Sequence, residues 1–147
     1  MILKLKGGES REFAAGLSGI EIARQISEGL ARAACAVSIN GEAQDLRTVP
    51  EEGADFGVLT FDDAEGAAAF RHTTSHILAQ AVKRLFPEAK LAIGPSIKDG
   101  FYYDFEFAEP LKPEDLEKIE KEMAKIVSEN LEITRFTLPR SEAIALM

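Results

Sequence analysis

The chain opens with "ILKLK", where apolar and charged residues alternate with the period of a half-buried strand. "GGES" reads as a turn, and "REFA" returns as the second strand of a hairpin. At Ser18 the period changes. Ser18 is placed to cap a helix and Glu21 to reach back to it, while Ile20, Ala23 and Ile26 recur at helical spacing. Gly29 is the expected stop. "CAVSI" is a compact apolar strand, followed by Asn40-Gly41, a hairpin signal because both residues tolerate positive φ. "FGVLTF" predicts a last strand ending near Phe61. Together these make an α+β unit of about 60 residues, near the lower limit for a free-standing core.

"DDAEG", residues 62–66, is polar and small and is the expected joint between units 1–62 and 63–147. Beyond it Phe70, Thr74, Ile77, Leu78, Ala81 and Leu85 form one helical stripe that ends before Pro87. "LAIGPSIKDGFYYDFEF" predicts a hairpin turning at Asp99-Gly100, with Phe101, Tyr103, Phe105 and Phe107 on one face and Tyr102, Asp104 and Glu106 on the other. Pro113 opens a further helix whose inner side is Leu116, Ile119, Met123 and Ile126. Glu114–Lys118 and Glu117–Lys121 are spaced as ion pairs on its solvated face. "LEITRF" is a candidate strand, and "RSEAIALM" a helix starting at a Ser141 cap. That helix carries no stop residue, so the chain is expected to be cut from a longer protein.

Composition narrows the classes. The 147 residues are 46% hydrophobic and 29% charged, which is globular. No run of about 18 apolar residues exists to span a membrane. The N-terminus lacks the apolar core of a signal peptide. A single cysteine, Cys35, cannot form an internal disulfide, which favours a cytoplasmic setting. The net charge of −8 argues against sequence-blind nucleic-acid binding. Arg71, Lys83, Arg84, Lys90 and Lys98 are either a local basic patch or scattered surface charges.

Both histidines lie in "RHTTSHILA", four residues apart and therefore on one side of the helix. His72 and His76 fall roughly opposite the apolar stripe, beside Ala69, Ala79 and Lys83. Three readings compete: two solvent-facing histidines, a metal site, or half of a site completed elsewhere. Zinc needs further ligands, no third histidine exists, and no Glu follows His72 as in the metalloprotease pattern. No metal site is assigned within this chain. The hairpin favours the third reading. Gly94-Pro95 interrupts an apolar strand, and a strand glycine often marks close approach of a ligand or backbone. Tyr103, set among phenylalanines, is either a pocket group or a core tyrosine bonded to backbone.

"RHTTSHILAQAVKRLFP" followed by "LAIGPSIKDGFYYDFEF" resembles the start of the editing domain of threonyl-tRNA synthetases. The preceding "REFAAGLSGIEIARQI" and "AVSINGEAQDLRTV" resemble their TGS domain, a ubiquitin-like β-grasp module. The resemblance implies a TGS domain at 1–62 and a truncated α+β editing domain at 63–147, an N-terminal fragment of a class II synthetase. It implies that His72 and His76 belong to a site hydrolysing seryl-tRNA, that Tyr103 lines its pocket and that Gly94 makes a close backbone contact. One methyl group separates serine from threonine and is worth only about 1–3 kcal/mol, which is why a second, hydrolytic site is needed. The family's Cys-x-x-x-His pair, with a lysine and an aspartate, is absent, so the fragment alone is expected neither to charge nor to edit tRNA.

For the full-length enzyme the resemblance implies ATP, magnesium and zinc, threonine tRNA as partner, and a homodimer in the cytoplasm; no cofactor is expected in this fragment. Two rivals stand beside it: a non-catalytic TGS-type binding or regulatory module, and a small zinc-dependent hydrolase using His72, His76 and a carboxylate. An exposed hairpin edge is also expected to pair with a second copy.

Overall fold

A computed structural model describes residues 1–134 and 136–146. Strands β1 (Ile2–Leu5) and β2 (Ser10–Glu12) form the opening hairpin. Helices α1 (Gly19–Ile26) and α2 (Glu28–Ala33) follow, then β3 (Ala34–Ile39), β4 (Glu42–Gln44) and β5 (Asp55–Thr60). The sheet order is β2-β1-β5-β3-β4. β1 and β5 run parallel, with Lys4 opposite Asp55, and the other pairs are antiparallel. Asn40 and Gly41 both take positive φ and close the β3–β4 turn. The molecule is α+β, as expected.

The first core gathers Leu3, Phe13, Ile22, Val37, Ile39, Ala54 and Phe56 between this sheet and α1. Glu21 accepts from the Ser18 backbone N–H at 2.8 Å and from its hydroxyl at 2.5 Å, so the predicted capping residues do meet. Gly29 is not the stop. Ser27 breaks the helix with an extended backbone, and its hydroxyl oxygen accepts from the Gly29 and Leu30 N–H groups to cap α2. Ser27 satisfies the first free N–H groups of a second helix, so the chain turns helical again before Gly29 can end it.

Helix α3 (Ala64–Leu85) begins within the expected joint, leaving only a turn after β5. Asp63 accepts from the Thr60 N–H at 2.9 Å and fixes that turn. A Cβ on Gly66 would lie 2.0 Å from the Thr60 carbonyl oxygen, so this end of α3 seats against the end of β5. The turn between β5 and α3 is a close contact.

Four two-residue strands follow: β6 (Lys90–Leu91), β7 (Ser96–Ile97), β8 (Gly100–Phe101) and β9 (Phe105–Glu106). β6 pairs β9 and β7 pairs β8, a single hairpin interrupted in its middle. Backbone bonds Ala92 N–H to Asp104 O (3.0 Å) and Asp104 N–H to Ile93 O (2.9 Å) bridge the interruption. Gly100 is paired with Ile97, so the turn residues are Lys98 and Asp99 rather than Asp99-Gly100. The predicted alternation holds, with Phe101, Tyr103, Phe105 and Phe107 partly buried and Tyr102, Asp104 and Glu106 exposed, apart from Phe107 lying beyond β9.

Helices α4 (Pro113–Glu129) and α5 (Arg140–Leu146) complete the described chain. Ala81, Val82, Ala89, Ile119 and Ile126 form a second core, shared by α3, α4 and the hairpin. Leu116 is 61% exposed and Phe70 is 53% exposed, so neither belongs to its predicted inner face. Phe70 instead packs edge-on against Phe61 at 5.4 Å. Lys118 bonds Asp115 at 2.8 Å rather than Glu114, because Asp115 is already fixed by the Lys112 N–H. Nor is the charged face of α4 only solvated: Glu122 and Glu129 both hold Arg84 of α3, at 3.0 and 2.8 Å. Residues 131–134 form no strand, and Arg135 within that expectation lies outside the described residues. The last helix starts at Arg140, where the Pro139 carbonyl accepts from Glu142 and Ala143; its expected final residue, Met147, also lies outside them.

Candidate functional site

His72 and His76 both stand exposed on α3, one turn apart. Their Nε2 atoms are 3.1 Å apart and their rings meet edge-on at 4.5 Å. At that distance one ring donates its N–H and the other accepts, which requires at least one neutral imidazole. Partial burial, and after it the charge His72 can carry, hold His76 below the ordinary histidine range. The lowered value favours the neutral form of His76, the form that can accept a hydrogen bond from its neighbour.

The helix face beside the pair is closed by the hairpin. Ser75, Ala79 and Val82, at i, i+4 and i+7, are buried there. Ala79 is thus part of the buried face. Ser75 is 0% exposed, and its hydroxyl lies 2.7 Å from the His72 carbonyl oxygen and 2.9 Å from that of Gly94. Gly94 in turn presses on Tyr103: a Cβ there would fall 2.1 Å from the tyrosine Cδ2. Tyr103 stacks on Phe105 with centroids 4.6 Å apart. The expected site residues are thereby linked in one chain of contacts, from His72 through Ser75 and Gly94 to Tyr103.

Of these residues only His72 borders the groove between the sheet and α3. That open groove of about 710 Å³ is shared with Thr73, Cys35, Arg47 and Glu132, while Gly94 and Tyr103 stand outside it on the hairpin side. Arg47 is engaged by Asp45 at 3.0 Å and by Glu132 at 3.7 Å. The hydrogen bonds to Arg47 hold Asp45 below the usual carboxylate range.

Ser75 went unnoticed in the sequence. Its signal was a small polar residue three positions after His72, on the flank where the helix turns inward. Nor do the five basic residues form a free patch. Arg71 donates to the Lys98 carbonyl and lies over the Phe61 ring. Lys83 bonds the Pro87 and Ala89 carbonyls, Arg84 is held by two glutamates, and Lys90 pairs with Glu106 at 2.7 Å. Among the described residues no group of three His, Cys, Asp or Glu side chains could hold a metal ion. Nor is any helix among the described residues long and apolar enough to cross a membrane.

The geometry can be set beside known proteins. No family model matches the chain. Curated relatives match it nearly end to end. The chain is similar to threonine--tRNA ligases. The relative in Acetivibrio thermocellus is 57% identical over 145 residues, 99% of this chain and 23% of the relative. That of Clostridium perfringens is 55% identical over the same share of each. That of Clostridioides difficile is 55% identical over 143 residues, 97% of this chain and 22% of its own length. The chain thus spans about a quarter of the length of the curated ligases it matches.

Proposed function

We propose that this chain is the N-terminal region of a threonine--tRNA ligase, the class II synthetase that joins threonine to its tRNA using ATP. Residues 1–62 are read as a TGS-type β-grasp domain, supported by the mixed five-stranded sheet with helices packed on it. Residues 63–147 are read as part of an editing domain that hydrolyses seryl-tRNA formed in error. Similarity to the ligases over 97–99% of the chain supports the assignment to that enzyme. The observation that carries the editing role is the exposed His72–His76 pair, joined through Ser75 to Gly94 and Tyr103.

The chemistry is ester hydrolysis. Water adds to the acyl carbonyl carbon, the bond to the ribose oxygen breaks, and a proton passes to that oxygen, giving serine and free tRNA. A neutral imidazole can orient and accept a proton from the attacking water. His76, held below the ordinary histidine range, suits that role, and His72 is placed to polarise it or to bind the terminal adenosine. ATP, magnesium and zinc belong to this reading of the whole enzyme. A homodimer in the cytoplasm, with threonine tRNA as partner, completes the reading.

The test uses the full-length protein and seryl-tRNA. Hydrolysis should fall at least about 100-fold in the His72→Ala, His76→Ala double variant, the scale of a lost acid–base group. Undiminished hydrolysis in that variant refutes the editing role.

A further inference from the structure

Ser75 is the only buried polar side chain among the described residues, and it is fully enclosed. Its hydroxyl has one proton but two carbonyl oxygens within reach, His72 at 2.7 Å and Gly94 at 2.9 Å. A hydroxyl can donate fully to only one of them at a time. Donation back to His72, three residues earlier, is the helix back-bond that tends to bend a helix locally. Donation to Gly94 instead ties the interrupted strand of the hairpin to α3. The first choice acts on the turn that carries both histidines. The second acts on the backbone that Tyr103 packs against.

We propose that Ser75 is a positioning residue that sets the spacing between the histidine pair and the Gly94–Tyr103 strand pair, and so discriminates the seryl from the threonyl ester. This rests on the editing role proposed above. The two esters differ by one methyl group, which attraction alone separates weakly, so exclusion of the larger one needs a wall that does not yield. Gly94 is such a wall only while it is held in place. The Tyr103 ring abuts its Cα and the Ser75 hydroxyl reaches its carbonyl. Without the hydroxyl, the Gly94 carbonyl loses its tie to α3 and the strand can retreat.

The experiment compares hydrolysis of seryl-tRNA and threonyl-tRNA by the full-length protein carrying Ser75→Ala or Ser75→Thr. In Ser75→Ala the ratio of the two kcat/KM values should fall roughly fivefold, the worth of one net hydrogen bond, chiefly through faster threonyl-tRNA hydrolysis. Ser75→Thr retains the hydroxyl and should restore the ratio. General loosening of the fold would slow both esters together and leave the ratio unmoved. An unchanged ratio in Ser75→Ala, with hydrolysis still lost in His72→Ala, His76→Ala, overturns the role of Ser75 and leaves the editing role standing. Hydrolysis that survives the double histidine variant removes the editing role, and the discrimination proposed for Ser75 falls with it.

Discussion

His76 carries a prediction that depends on sign. Its pKa in the folded chain is lowered, first by burial and then by the charge of His72. The unfolded chain therefore binds a proton at a higher pH than the folded one does. Stability from this group is fully present above the ordinary histidine value, near 6.5, and is lost as pH falls through the lower folded value. A proton NMR titration of the two imidazoles should find His76 titrating below that value. In His72→Ala it should move part of the way back, because burial, the larger cause, remains. A His76 that titrates at or above 6.5 in the unaltered chain would contradict the geometry of the pair. The neighbouring constraint is steric. Gly94 has no room for a side chain beside Tyr103, whereas Ser75 acts through a hydrogen bond, so two adjacent contacts are open to different kinds of substitution.

At the scale of elements, the seat of α3 against β5 decides between two opposed effects of one substitution. Gly66→Ala should favour the helix by about 1 kcal/mol on propensity alone. The added Cβ would meet the Thr60 carbonyl oxygen at 2.0 Å, and that backbone is fixed by the bond from the Thr60 N–H to Asp63. Overpacking against backbone costs about 1–3 kcal/mol, so the clash outweighs the propensity. The denaturant midpoint should fall, and a rise would mean that the end of α3 is not seated as described. The sequence displayed this helix but not its seat. Periodicity located α3, the alternation of the hairpin, and α4 opening at Pro113, because burial there follows the local repeat. It misplaced Phe70 and Leu116 because their surroundings are set by which neighbour arrives, and neither meets the core. Gly29 failed as a stop because Ser27 caps a new helix. For the site, the spacing of His72 and His76 announced their contact, and Gly94 announced a close approach. The link between them, Ser75, depends on the hairpin folding back nineteen residues later, which no local pattern contains.

Over the whole molecule the two cores share no residue: α3 lends side chains to the second core, and its first turn seats on the end of β5, a strand of the first. One end of its 22 residues, about 33 Å of helix, seats on β5, and the other packs with α4. Two cores joined by one continuous helix need not open together, since opening of one leaves the other's burial intact. Ile126→Ala removes a side chain 4% exposed in the second core and should cost about 2–5 kcal/mol there. Ile22→Ala does the same to the first core from 0% exposure. Amide hydrogen exchange should then separate them. Ile126→Ala should lower protection in α4 and the Ala81–Val82 end of α3 while β3 and β5 keep theirs. Ile22→Ala should do the reverse. Equal loss across the chain in both variants would make the protein a single cooperative unit, with α3 transmitting every disturbance between the sheet and the helix pair. The separable result is the one the proposed site needs, because the histidine pair sits midway along α3 and can then adjust against the hairpin without unfolding the sheet.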